Sequence, residues 1–274
     1  MVARRKDRLE ALAAELTRQH GTANQVVALD LLAEGAVDEL WRQVGDLDVG
    51  IVVANAGISV AGPLVDNSPI EELNVLTLDG VVPLQLAHRF GRRFAQRRRG
   101  AVILVSSMIG AGPAPYLANY AAVKAYVSSL GLALNYELKK DGVDVLVVSP
   151  GPTQTEGLDN AVGIDFHKLE GPMMAPSRVA CTALNNLGKR AHVIPGATNN
   201  SVDLMDKYLM PRWLSVRFYG WLFHRALDNG ARSASWAAPS SARRSEVQRC
   251  WRCARFPSRT PARARSASAC GPPV

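Results

Sequence analysis

The chain has 274 residues, 47% hydrophobic and 20% charged, the balance of a soluble globular protein long enough for a sizeable core. Its formal charge of +8 would suggest an acidic partner, but Ala231 to Val274 carries nine arginines, no lysine and one acid, Glu246, so Met1 to Gly230 is neutral. Cys181 stands alone before residue 231, which excludes a disulfide framework and suits a reducing compartment.

"MVARRKDRLEALAAEL" is charged and amphipathic, with no apolar signal core, so a cytoplasmic setting is expected. Leu9, Leu12, Ala13 and Leu16 keep a helical period up to Gly21, a natural stop. A short strand, "QVVALDL", precedes the helical "EGAVDELWRQVGD", and "VGIVVANAG" is a buried strand entering a turn. Next comes one long helical region from Ser68 to Gly100, with Ser68 as N-cap and Pro69 at its first position. "AVILVSS" is a strand, Asn119 to Lys140 a helix, "VDVLVVSPG" a strand, Pro176 to Leu187 a helix and "AHVIPG" a last short strand.

Apolar strands alternating with amphipathic helices imply an α/β fold, a doubly wound parallel sheet covered on both faces. Ligands of such sheets bind at the carboxyl ends of the strands, where "NAG", "SSMIG" and "SPGPTQT" all fall. From about residue 200 to 227 the chain turns apolar and basic. The expected elements are C-terminal helices covering a substrate pocket or an oligomer contact, with peripheral membrane contact through 205–227 as the alternative. Residues 231–274 are Arg, Ser, Ala and Pro without periodicity, so a disordered tail is expected. That composition also matches an out-of-frame reading of GC-rich DNA. It shows no nucleic-acid-binding pattern, and Cys250 and Cys253 have no second pair or histidine after them to complete a metal site.

Tyr120 and Lys124 lie one helical turn apart, and Ser107 ends the strand thirteen residues earlier. With the turn Asn55-Ala56-Gly57 and the run Pro150 to Thr155, this set resembles the short-chain dehydrogenase/reductase family in order and spacing, from Val2 into the 220s. The resemblance implies a Rossmann-like domain over 1–230 and an oxidoreductase interconverting a carbonyl and a secondary alcohol. Reduction needs a proton donor at the oxygen, and a free phenol has a pKa near 10. A lysine charge 4 Å away, at an effective dielectric of about 20, contributes roughly 4 kcal/mol, enough to lower that value by two to three units. Tyr120 is then the acid–base group, Lys124 its tuner and a ribose ligand, and Ser107 a donor to the substrate oxygen. Ser106 is rejected, because successive strand residues face opposite ways.

The same resemblance assigns Asn55, Ala56 and Gly57 to the cofactor lining, although a plain strand-end turn reads alike. Pro150, Gly151, Thr153 and Thr155 would meet the nicotinamide side, and Asp30 the adenine, unless Asp30 only caps its turn. Arg4 and Arg5 stand where an acid would select NAD, so NADP is favoured over NAD. The expected partners are a small, lipophilic carbonyl or alcohol substrate and a second copy of the chain in a homo-oligomer, with no nucleic acid and no metal.

Two departures remain. The family's asparagine in the long helix falls in register on Asp79, whose charge would alter the lysine and the pH profile, unless it is an exposed helix residue. The chain also starts where the family's second strand ends: the first strand and glycine-rich loop are expected to be lacking, and no GxxxGxG occurs. A catalytically impaired fragment unable to bind nucleotide is the alternative function.

Overall fold

A computed structural model describes residues 1–159, 161–169 and 173–227. The tail 231–274, with Cys250 and Cys253, lies outside the described residues.

The elements alternate as the hydrophobic pattern requires. Strand β1 (Val2–Ala3) is followed by helix α1 (Lys6–His20), β2 (Val27–Ala28), α2 (Ala36–Val44) and β3 (Ile51–Ala54). Helices α3 (Pro69–Leu76) and α4 (Val82–Arg97) lead to β4 (Gly100–Val105). They are followed by α5 (Ala118–Lys139), β5 (Val143–Val148), a short α6 (Glu156–Asp159), α7 (Pro176–Asn186) and β6 (His192–Val193). Two helices, α8 (Ala197–Tyr208) and α9 (Arg212–Ala226), close the described chain.

Among the described residues every strand pairing is parallel, in two ladders: β1 with β2, and β3-β4-β5-β6 in that order. The runs in β4 and β5 are apolar without interruption because both sheet faces are covered. Val102, Leu104, Val143 and Val145 belong to one core with Leu86, Phe90 and Phe94 of α4 and Val127 of α5. Their neighbours Ile103, Leu146 and Val148 point the other way and pack with Val193 and with Ala183 of α7. Helix α5 lies close on the sheet at Gly131, where a Cβ would come 2.3 Å from Val147 Cγ2.

The long helix expected from Ser68 to Gly100 is not continuous. A π-helical turn, Thr77–Val81, separates α3 from α4 and carries Asp79. Pro83, at the start of α4, is the mark this break left in the sequence, because a proline cannot donate into the preceding turn. Ser68 does stand at the N-cap with Pro69 next, although its side chain makes no capping bond. The two C-terminal helices begin near the expected boundary. Phe223, Ala226 and Leu227 pack with Ala114, Leu117 and Ala121, so α9 covers the start of α5. Its other face leaves Trp213, Phe218 and Trp221 exposed. Among the described residues, no helix is long and apolar enough to cross a membrane.

Candidate active site

The carboxyl ends of β3, β4 and β5 bring four of the expected residues into one group. Strand β4 ends at Val105, and its alternation decides which serine faces which way. Ser106 is buried and hydrogen-bonds the Lys124 carbonyl at 2.7 Å, while Ser128 donates to it at 2.8 Å, so it fastens α5 to the sheet. Ser107 faces the opposite side, toward Tyr120, and its hydroxyl accepts from the Ile109 amide at 3.3 Å. The latter bond starts a 3-10 turn, Met108–Ala111. The Ser106/Ser107 division follows from the two-residue period of a strand.

Lys124 is buried, with Nζ 5.5 Å from the centre of the Tyr120 ring. It donates to the Val105 carbonyl at 3.2 Å and forms an ion pair with Asp79 Oδ2 at 2.9 Å. The Asp79 side chain has no exposed surface. Its Oδ1 accepts from the Ile58 amide at 2.8 Å, whereas Oδ2 has the ammonium beside it but no aligned hydrogen bond. Asp79 is therefore not an exposed helix residue. The π turn brings it beneath the Asn55-Ala56-Gly57 turn, where a Cβ on Gly57 would stand 2.7 Å from Oδ2. Glycine is needed there for close approach.

The electrostatics differ from the expectation of an acidic phenol. Burial pushes the Tyr120 hydroxyl above its ordinary value; Lys124 and the Ser107 bond pull it down, while the Asp79 charge pushes it up. Only the lysine was weighed in the sequence, and the carboxylate offsets part of its field. Burial also raises the Asp79 carboxyl, against the pull of Lys124 and the Ile58 amide. Burial pulls the Lys124 ammonium down, but Tyr120 and Asp79 together hold it above its usual range. The pair is asymmetric because the carboxylate has one cation beside it, whereas the ammonium faces two groups that can be negative.

Six of the other expected residues lie around a cavity of about 1650 Å³ between β1 and β3, whereas Pro150, Gly151, Thr153 and Thr155 do not line it. Arg4, Arg5, Asp30, Asn55, Ala56 and Gly57 line it; Ser107, Tyr120 and Lys124 do not, and the two regions meet at the Asn55–Ile58 turn above Asp79. Asp30 Oδ1 accepts from the Leu32 amide at 3.0 Å, the turn-capping role that its position also allowed. Thr153 bonds the Gly151 carbonyl at 2.9 Å, Thr155 accepts from the Leu158 amide at 3.3 Å, and the Pro150 carbonyl accepts from Met108 at 3.0 Å.

Sequence reasoning missed Glu156. Its carboxylate pairs with Arg5 at 2.9 Å and with Arg8 at 2.5 Å, and the two arginines hold it below the usual carboxylate range. The three-residue spacing of Arg5 and Arg8 on one helix face was the available signal. Asn119, next to Tyr120, is also anchored, through bonds to the Glu72 carbonyl and carboxylate at 2.8 and 2.7 Å.

Parallel strands between helix layers, with polar turns gathered at the strand ends, define a Rossmann-like α/β protein. The model of the short chain dehydrogenase family matches residues 1–162, and the chain belongs to that family. It is an oxidoreductase of the kind that works between CH–OH groups and NAD(P). It is 31% identical over 201 residues to a 7beta-hydroxysteroid dehydrogenase of Collinsella aerofaciens, covering 73% of this chain and 76% of that one. A very-long-chain 3-oxoacyl-CoA reductase of Laccaria bicolor is 32% identical over 149 residues, 53% of this chain and 44% of that one. A solved 7beta-hydroxysteroid dehydrogenase superposes with a TM-score of 0.73 at 30% identity, covering 80% and 85% of the two chains. A Sphingobium yanoikuyae short-chain dehydrogenase in complex with NADPH superposes at 0.66 and 28% identity, covering 75% and 81%.

Proposed function

We propose that this protein interconverts a carbonyl and a secondary alcohol on a lipophilic substrate, with NADP(H), and that Tyr120 is its general acid and base. The observation that carries this reading is Tyr120 facing Ser107, with the Lys124 Nζ 5.5 Å from the centre of its ring. In reduction the phenol donates its proton to the substrate oxygen as negative charge develops there, and in oxidation the phenolate takes it back. Ser107 donates to the same oxygen and orients it. Lys124 stays charged and favours the phenolate, and Asp79 sets how strongly. Tyr120→Phe should lower turnover by at least about a thousandfold, in line with loss of an acid–base group, with NADPH affinity unchanged; retained turnover would refute the assignment.

The residues present fit a nicotinamide dinucleotide. Gly57 leaves backbone room, Asn55 and Ala56 open into the cavity with it, and Arg5 already binds a carboxylate and would accept a phosphate in its place. Arg4 and Arg5 would hold the ribose phosphate that distinguishes NADP, Asp30 the adenine side, Lys124 the second ribose, and Pro150, Gly151, Thr153 and Thr155 the carboxamide side. Bound, the cofactor supplies or accepts the hydride at the alcohol carbon. The relatives named for steroids and long acyl chains support a lipophilic substrate, as does the aromatic packing of α9 over the start of α5. We also propose that the domain spans 1–230, that two copies associate, and that Trp213, Phe218 and Trp221 rest on lipid. Sedimentation equilibrium tests the association and co-sedimentation with anionic vesicles the lipid contact; a monomer, or no binding, would end the respective idea.

A second reading rests on the absence of any GxxxGxG run in the 274 residues. Without that loop the pyrophosphate has fewer backbone donors, and the chain keeps its site but not its cofactor. NADPH titration by fluorescence separates the readings: saturation at micromolar concentration favours the enzyme, and no saturation favours the impaired chain.

A further inference from the structure

We propose that Asp206 and Tyr219 recognise a second hydroxyl group on the substrate, so that the compound transformed at Tyr120 is a lipophilic molecule with a free alcohol besides its reacting carbon. The proposal rests on the Tyr120 reading and adds a substrate class to it. The place is the 3-10 turn that follows Ser107. Met108 and Ile109 of that turn, with Ala114 and Phe223, form the apolar part of a cavity of about 10 Å³. That is room for about one water-sized group. Gly112, Asp206 and Tyr219 complete its wall.

Two helices bring unlike polar atoms to this cavity. Asp206, from α8, is anchored through Oδ1, which accepts from the buried Ser215 hydroxyl at 2.7 Å. Its Oδ2 lies on the Gly112 side, where a Cβ would stand 3.4 Å away, and receives no hydrogen bond among the described residues. Tyr219, from α9, stacks on Phe223 with ring centres 5.9 Å apart, and its hydroxyl likewise makes no hydrogen bond among the described residues. Burial raises that hydroxyl above its ordinary pKa and the Asp206 charge raises it further, so the carboxylate acts on the phenol without being bonded to it. A carboxylate only accepts, and a phenol that keeps its proton donates. An alcohol serves both at once, donating to Asp206 and accepting from Tyr219. A ketone or ether gives Asp206 nothing, and an ammonium gives Tyr219 nothing. Water makes the same two bonds, so an alcohol replaces it without loss. Ile109, Tyr120 and Tyr219 all pack against the cluster that contains Ala114 and Phe223, so the carbon skeleton between the two oxygens runs over apolar side chains.

The test does not use turnover, so its outcome is separable from that of the Tyr120 reading. Binding to the full chain is measured by isothermal titration calorimetry for a decalone and for its derivatives with one hydroxyl on the second ring. The best hydroxydecalone should bind about tenfold to a hundredfold more tightly than the decalone, the range of a hydrogen bond to a charged group. Asp206→Asn, which keeps a partner for Ser215, should cut that ratio about fivefold or more, and Tyr219→Phe about threefold or more. The decalone, which lacks the hydroxyl, should bind the parent and both variants alike. Three results would overturn the proposal: equal affinity for the decalone and every hydroxydecalone, which would leave the cavity to water; an undiminished ratio in Asp206→Asn; or equal losses for both kinds of ketone, which would make the pair structural. Binding of none of these ketones would remove the lipophilic-substrate reading, and this proposal with it.

Discussion

Replacing Asp79 by asparagine keeps the shape of the side chain and an acceptor for the Ile58 amide but removes the charge beside Lys124. Lys124 Nζ is 2.9 Å from Asp79 Oδ2 and 5.5 Å from the Tyr120 ring centre, so the carboxylate is at most about 8 Å from that ring. At an effective dielectric of about 20, a unit charge at that range contributes about 2 kcal/mol. The Asp79 charge raises the phenol, so Asp79→Asn should lower the Tyr120 midpoint. The assay is the tyrosinate ultraviolet band, taken as the difference between Asp79→Asn and the double variant that also carries Tyr120→Phe. In alcohol oxidation the rising limb of kcat/KM should likewise move to lower pH. Removing one partner of a buried pair also costs about 3–5 kcal/mol of stability, less here because the asparagine keeps the Ile58 bond. An unmoved or raised midpoint would refute the claim that this carboxylate opposes the lysine.

Three further perturbations have definite outcomes. Gly57→Ala places a Cβ 2.7 Å from Asp79 Oδ2, and urea unfolding should show a loss of about 1–3 kcal/mol. Arg5→Ser should raise KM for NADPH about tenfold to a hundredfold, the range of one charge-assisted bond, with little change for NADH; equal effects on both would remove Arg5 from phosphate recognition. Burial first, then Asp206 and Asp203, push the Tyr219 hydroxyl up to about 12. The folded value lies above the unfolded one near 10, so this stabilisation is complete below pH 10 and is lost as pH rises toward 12. Urea midpoints across that window should fall more steeply in the parent than in Tyr219→Phe.

The parallel fold was legible because β4 and β5 read as uninterrupted apolar runs and α1 and α5 kept a clean period. The serine choice was legible too, since strand alternation alone separates Ser106 from Ser107. What escaped was long-range or subtle in pattern. The field at Tyr120 depends on Asp79, forty-one residues away along the chain, and on burial, which no local window reports. The Arg5–Glu156 contact joins two distant segments through exposed charges. The π turn shifts the apolar stripe by a single residue, and its one local signal, Pro83 at the start of α4, was passed over. Strands β2 and β6 have two residues each where longer runs were expected, because ladder length is set by the neighbour and not by the apolar run.

The extra residue in Thr77–Val81 has a consequence for how this segment can change. Each residue advances an α-helix by about 100°, so α3 and α4 are rotated out of phase by one such step. Val75 of α3 meets Val60 and Val123, while Val82, Leu86 and Phe90 of α4 meet the sheet core. Each half thus answers to its own partner. Deleting one residue here would rejoin them as a single straight rod, and one of the two apolar stripes would swing into water. The length of this connection is therefore fixed by two surfaces at once, and the carboxylate at its midpoint cannot drift along the chain without repacking one of them.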